Sequence, residues 1–232
     1  MLPGLADAIV AACLAPTCAA CHRVLESPMA GPVCPSCWMD ARAASGTYAG
    51  ALRNIIHAFK YEGRRSLARP LAEILRARGT EALAGAQCIV PVPLFVTRRL
   101  RRGFNQAAEL ARYLDAPVMP ALWRVRSTAP QAGLTAVERA RNVRGAFRLS
   151  PLLTSRMRKT SIENRVVVLV DDVMTTGATL RACAAALDAA GAREIRMLTL
   201  ARAPLQKAAD RLPNVGGDRI AVPVGVEPDP RP

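Results

Sequence analysis

Lysine is nearly absent from this chain of 232 residues, occurring only at Lys60, Lys159 and Lys207. Histidine occurs twice, at His22 and His57, and aromatic side chains make up only 4% of the sequence, leaving few platforms for stacking bases. Neither histidine sits in a recognisable motif, so no general base is evident. No GxxxxGK[ST] loop is present, which disfavours an ATP-driven motor. No apolar run approaches the roughly 18 residues of a membrane span. The first twelve residues carry Asp7 and no cationic residue, which argues against a secretory signal and for an amphipathic leading helix. A cytoplasmic protein without a membrane span is expected.

Arginine supplies nearly all of a net charge of +14. A GC-rich genome would give the same Arg bias, so distribution says more than the total. Between Leu94 and Arg148 there are eleven arginines and three acids. Such a density suits a polyphosphate substrate, nucleic acid, or both. Cys13, Cys88 and Cys183 stand alone among apolar neighbours and read as buried packing residues.

The other four cysteines form two CxxC pairs, Cys18/Cys21 and Cys34/Cys37, separated by twelve residues. Four thiolates so spaced complete a closed, tetrahedral structural Zn²⁺ site, with Pro28, Gly31 and Pro32 in the turn between them. Two disulfides are the rival reading, disfavoured in a reducing compartment. His22 reads as a bystander. A four-cysteine ribbon suits nucleic acid or protein equally.

The stretch that organises the rest is Val166–Leu180. Five consecutive apolar residues read as a strand buried on both faces, followed by Asp171 and Asp172. A loop of hydroxyls and small residues then opens a helix from Gly177 to about Ala190. N–H groups from Thr175 to Ala178 have no intrahelical partner and the helix dipole favours an anion there, so this is a phosphate cradle. Thr175, Thr176 and Thr179 add hydroxyl donors, and Gly177 permits close approach. Asp171 and Asp172 suit sugar hydroxyls or a Mg²⁺ held mostly by water and substrate.

Elsewhere, Tyr48–Phe59 and Leu67–Ala77 show apolar residues at helical spacing. A basic turn from Lys60 to Arg65 lies between them, either solvated or reaching a diphosphate. Ala41–Thr47 reads as a connector, and Gly79–Gly85 as the end of the helical region. Cys88–Leu94 reads as a strand broken by Pro91 and Pro93. Arg98, Arg99, Arg101 and Arg102 follow, ahead of a helix opening at Gly103–Gln106 and running to about Leu114. Guanidiniums, turn and helix N-terminus together suit a diphosphate. Pro117–Val118 and Ala121–Arg126 are candidate strands, and Val143–Leu149 returns as a hairpin partner around a long polar tip. Ser150–Asn164 reads as a basic connection, and the residues beyond Pro204 as a frayed tail.

The strand, acid pair and hydroxyl loop resemble the phosphoribosyl-diphosphate (PRPP) signature of type I phosphoribosyltransferases. With PVPL, RRLRRGFNQA, QAGLTAVERARNVRGAF and LVDDVMTTGATL in order after a four-cysteine motif, nearly the whole chain to about Arg202 resembles the ComF family, the competence-protein F or GntX-like proteins. Met174 departs from that pattern and bears on packing against a base or acceptor.

The resemblance implies an α/β fold: a type I phosphoribosyltransferase-like parallel sheet flanked by helices, with a small N-terminal zinc ribbon. The expected division is 1–44 for leading helix and ribbon, 45–204 for the phosphoribosyltransferase-like domain and 205–232 for a flexible tail. It implies binding of PRPP or ribose 5-phosphate with Mg²⁺. The loop from Thr175 through Ala178 to Thr179 would hold the 5-phosphate, and Asp171 and Asp172 the ribose hydroxyls. Arg98, Arg99, Arg101 and Arg102 would neutralise diphosphate. It further implies a part in DNA uptake during natural transformation, handling incoming single-stranded DNA beside other uptake proteins. If the protein is an enzyme, it transfers a pentosyl group to an unidentified acceptor. The alternatives are a nucleic-acid-binding module without transferase activity and a nucleobase-salvage transferase, the latter having no need of a ribbon.

Overall fold

The computed structural model describes residues 4–126, 143–203 and 220–221. Helices α1 (Leu5–Leu14), α2 (Pro35–Ala43), α3 (Gly50–Tyr61), α4 (Ala68–Arg78) and α5 (Thr80–Leu83) precede strand β1 (Cys88–Pro91). Next come α6 (Val96–Arg102), α7 (Gln106–Ala111), β2 (Leu122–Arg124), β3 (Phe147–Leu149) and α8 (Ser155–Ser161). The chain continues with β4 (Val166–Met174), α9 (Ala178–Asp188), β5 (Glu194–Arg202) and β6 (Ile220–Ala221).

Four strands form a parallel sheet in the order β1-β4-β5-β6. Leu169 faces Val90 on one side and Met197 on the other, and Ile195 faces Ile220. Successive side chains of a strand point to opposite faces, so a valine run can fill two cores at once. Val168 and Val170 join Leu52, Ile55, Phe59, Leu71 and Leu75 from α3 and α4. Val167 and Leu169 join Leu180, Cys183 and Leu187 of α9 and the base of the hairpin. The helices therefore cover both faces of a parallel sheet, as the sequence predicts.

Helix α3 is held firmly: Leu52, Ile55, Ile56 and Phe59 have no solvent exposure. Each such side chain contributes about 1.5–3 kcal/mol through burial. Strands β2 and β3 make the expected antiparallel hairpin, with Trp123 opposite Arg148. Pro117–Val118 appears as a single parallel bridge from Val118 to Ile89.

Several sequence expectations need correction. Strand β4 does not stop at Val170 but runs through the acid pair to Met174, because β5 is long enough to pair it as far as Arg202. The four arginines after Pro93 do not precede a helix but form one, α6, ending at Gly103 in the left-handed region (φ 76°). Arg and Leu are strong helix formers and glycine accepts that terminal conformation without strain. The following helix is shorter than expected, Gln106–Ala111, and is capped by Asn105 Oδ1 accepting from the Ala107 N–H at 3.1 Å.

The basic connection 150–164 contains α8, whose start is fixed by the Met157 N–H donating to Thr154 Oγ1 at 3.2 Å. A short helix, α5, interrupts the expected stop between Gly79 and Gly85. The connector at residue 41 is helical to Ala43, since Pro35 pre-sets the first turn of α2. Cys88 and Cys183 are buried as expected, but Cys13 is exposed on the peripheral α1. The hairpin tip, residues 127–142, lies outside the described residues, as does the tail apart from Ile220–Ala221, which adds a short strand to β5. Among the described residues no helix is long and apolar enough to cross a membrane.

Candidate functional site

At the C-terminal end of β4 the period of two separates the acid pair. Asp172 continues the face of Val168 and Val170 towards α3, whereas Asp171 continues the opposite face. Asp172 meets Lys60, from the last turn of α3, with Nζ to Oδ1 at 2.8 Å and both side chains only 12% and 11% exposed. Lys60 is thus not a solvated turn residue: it is paired with Asp172 at the wall of a cavity that both line. Burial opposes its charge, but the Asp172 carboxylate, by charge and hydrogen bond, raises its pKa.

Among the described residues Asp171 has no such direct ion pair. Burial, and then the charge of Asp172, push its carboxyl up to about 7. The Asp172 N–H, which donates to Asp171 Oδ1 at 2.8 Å, and the more distant Lys60 and Arg124 pull the other way.

Beyond Met174 the chain turns through Gly177, whose φ of +73° suits glycine. A Cβ there would sit 3.1 Å from Arg181 Nη1 and 3.5 Å from Met174 Sδ. Arg181 Nη2 donates to the Thr176 carbonyl at 2.6 Å and ties the loop to α9. The helical ladder starts with the Arg181 N–H on the Gly177 carbonyl at 2.9 Å, so the N–H groups before it have no ladder partner.

Acids, loop and arginines line one cavity of ≈ 290 Å³. Of the residues singled out in the sequence, Asp171, Asp172, Thr175, Gly177, Ala178, Thr179, Arg98 and Arg102 line it. Thr176, Arg99 and Arg101 do not. The Thr176 side chain is buried with Oγ1 unbonded among the described residues, while Arg99 and Arg101 are exposed. Helix geometry makes this division, because residues four apart share a face and neighbours do not. Arg102 is held by Nη1 on Gln106 Oε1 (3.1 Å), by Nη2 on the Tyr61 hydroxyl (3.2 Å), and over the Tyr61 ring.

Sequence reasoning missed Tyr61 and Arg124 in this cavity, and left Lys60 unassigned. Arg124 follows the exposed Trp123 in β2 and points inward over the Phe147 ring. An inward position on a short strand reads as apolar, so only alternation with Trp123 could have signalled it. Burial, then the charge of Arg98, lowers its pKa; at Arg98 burial, then Arg102 and Arg101, do the same. Guanidiniums, carboxylates, hydroxyls and a helix N-terminus thus line the same cavity. Neither histidine lines it.

The Sγ atoms of Cys18, Cys21, Cys34 and Cys37 all lie within 4.8 Å of one another, with Cys21 and Cys34 at 3.8 Å. A disulfide needs about 2.0 Å; four sulfurs around zinc at 2.3 Å would be separated by ~3.8 Å. The N–H groups of Ala20 and Cys34 donate to Cys18 Sγ at 3.4 and 3.3 Å, as suits a thiolate ligand. The four cysteines are thus positioned to hold one metal ion. They belong to the core shared with α3, and Asn54 of α3 donates to the Ala20 carbonyl at 2.9 Å. The metal motif therefore buttresses the helix that carries Lys60.

Residues 100–231 match the family described as "Phosphoribosyl transferase domain". The chain is 37% identical over 174 residues to "Competence protein F" of Haemophilus influenzae, covering 71% of this chain and 73% of that one. It is 37% identical over 165 residues to "DNA utilization protein YhgH" of Escherichia coli K12, covering 67% and 69%. Against "Competence protein ComFC" of Bacillus subtilis it is 28% identical over 158 residues, covering 67% and 62%. The parallel sheet, the acid pair at its carboxyl edge and the four-cysteine cluster agree with these matches: the chain belongs to the phosphoribosyl transferase domain family, among the competence protein F, ComFC and YhgH proteins.

Proposed function

We propose that the cavity binds PRPP, or ribose 5-phosphate, together with Mg²⁺, and that the protein serves DNA uptake by handling incoming single-stranded DNA. The reading is carried by one observation. A helix N-terminus with its hydroxyl loop, an acid pair and a cluster of guanidiniums line one and the same cavity. The 5-phosphate would take N–H groups of the loop that opens the helix and the hydroxyls of Thr175 and Thr179, which line the cavity. Asp171 would face the ribose hydroxyls, and Arg98 and Arg102 would neutralise the diphosphate.

The acid pair fits Mg²⁺, which takes one or two carboxylates and completes its shell with water and substrate oxygens. Asp171 would hold it through Oδ2, since its Oδ1 accepts only the neutral Asp172 N–H whereas Asp172 is paired with the Lys60 ammonium. When bound, Mg²⁺ supplies charge neutralisation for a departing diphosphate. The chain's own part in transfer would be positioning of ribose C1 and stabilisation of charge on the leaving group. The acceptor is left open, and a binding role without transfer uses the same contacts. The four cysteines would hold structural Zn²⁺.

The test is thermal denaturation with and without PRPP and Mg²⁺. At a ligand concentration 100-fold above Kd the folded state gains about 2.7 kcal/mol. Asp171→Asn, which keeps the Lys60–Asp172 pair, should remove most of that gain. An unchanged gain in the variant places the ligand elsewhere, and no gain in the native protein defeats the reading.

A further inference from the structure

A second cavity, of ≈ 380 Å³, opens on the far side of the Pro93–Leu94 turn. It shares Pro93, Leu94 and Arg124 with the first, but its character differs. Val96, Trp123, Leu152 and Met157 line it, and they are 52%, 47%, 78% and 37% exposed. Large apolar side chains gathered in this way at a surface mark a binding site. Arg99 also lines it. Helix α6 thus turns Arg98 and Arg102 to the ribose cavity and Arg99 to this one.

The charge around this groove is mainly positive. Elements α6, β2 and α8, which line it, and β3, which pairs with β2, carry nine basic residues and no acid, although Arg98 and Arg102 face the other cavity. Helix α7, whose Ala108 also lines the groove, brings Glu109, which is paired with Arg65 and Arg112. Of the nine, Arg158 is bonded to Glu163 from outside these elements. Arg148 stands directly opposite Trp123 in the hairpin register. A second copy docking through the same face would bring like charges together, which disfavours a symmetric dimer here. An aromatic face set among guanidiniums suits a polyanion that carries flat apolar groups. A single-stranded nucleic acid answers that description, whereas a duplex hides its base faces in the stack.

We propose that single-stranded nucleic acid docks in this groove, with a base stacked on Trp123 and its backbone on Arg99 and Arg148, separate from the ribose-phosphate cavity. The inference rests on the proposed role in handling single-stranded DNA and gives that role a surface. It differs from the expectation that all four arginines of α6 serve one anion. Because the two cavities share only Pro93, Leu94 and Arg124, the two ligands are expected to bind together.

The chain has two tryptophans, so Trp38→Phe leaves Trp123 as the sole indole reporter. Titrating this full-length variant with a short oligothymidylate at low salt should quench its emission, and saturating PRPP with Mg²⁺ should leave the quenching intact. In the native background, Trp123→Ala should weaken binding, read by anisotropy of a labelled oligonucleotide, by about 5- to 150-fold, the equivalent of one stacked base. Trp123→Phe should restore most of it. Arg99→Gln with Arg148→Gln should lower the slope of log affinity against log salt by roughly 0.7 for each contact removed.

If the oligonucleotide binds while Trp123 emission and the Trp123→Ala affinity stay unchanged, the groove is refuted and the DNA-handling role survives elsewhere on the protein. If no oligonucleotide binds at low salt, both fall. Quenching by polyglutamate equal to that by the oligonucleotide overturns nucleic acid as the occupant. Loss of quenching on adding PRPP overturns the separation of the two sites.

Discussion

Replacing Asp171 by Asn tests the electrostatic description of the site without any ligand. Asn keeps an acceptor for the Asp172 N–H and nearly the same volume, but it cannot titrate. Its carboxyl, ordinarily at 3.8, is pushed up to about 7 in the fold, by burial first and by the Asp172 charge second. Between those values the folded state holds a proton that the unfolded chain has released. Stability must therefore fall as pH rises from about 4 to 7, and level off above. From pH 5 to pH 8 the native protein crosses about two units of that window, at about 1.4 kcal/mol per unit, or about 3 kcal/mol. That figure is an upper bound, since the carboxylate is not wholly sealed from water. Urea denaturation of both proteins at pH 5, 6, 7 and 8, in chelator to remove divalent cations, isolates the effect, because every other carboxylate is common to both. The native protein should lose about 2–3 kcal/mol relative to Asp171→Asn across the series. A difference that does not change with pH would refute the assignment of Asp171 as the strained, protonatable member of the pair.

Lys60→Met should destabilise the fold by about 3–5 kcal/mol, because it strands the Asp172 carboxylate in a buried position. Adding Asp172→Asn should recover much of that loss, and strictly additive effects in denaturation would show that the two do not interact. At the N-terminus, freshly purified reduced protein should contain close to one zinc per chain by metal analysis. Cys34→Ser should release the metal and expose amides around Cys18 and Cys37 to hydrogen exchange, since metal binding is coupled to folding there. Full zinc content in the variant would refute the four-thiolate site.

The chemistry of the molecule was legible in its sequence wherever it depended on neighbours along the chain. Valine runs, paired CxxC motifs and the order acid, hydroxyl, glycine, helix each act over a few residues, so strand, cysteine cluster and helix-opening loop could be read directly. Local capping, legible in principle, was overlooked at α6 and α8, where Gly103 and Thr154 set the ends. What the sequence could not decide was which side chains meet. The opposite fates of Asp171 and Asp172 follow from strand alternation between two helix layers, and the layers exist only once the sheet is assembled. Lys60 lies 112 residues before Asp172, and only the packing of α3 on the sheet brings its ammonium to 2.8 Å from that carboxylate. The run Arg98–Arg102 looked like one anion site because sequence has no faces. Coiled as α6 between two cavities, it became two arginines for one and one for the other. Sequence set which charges and rings were available; tertiary structure, by burial and by direction, decided which of them could act together.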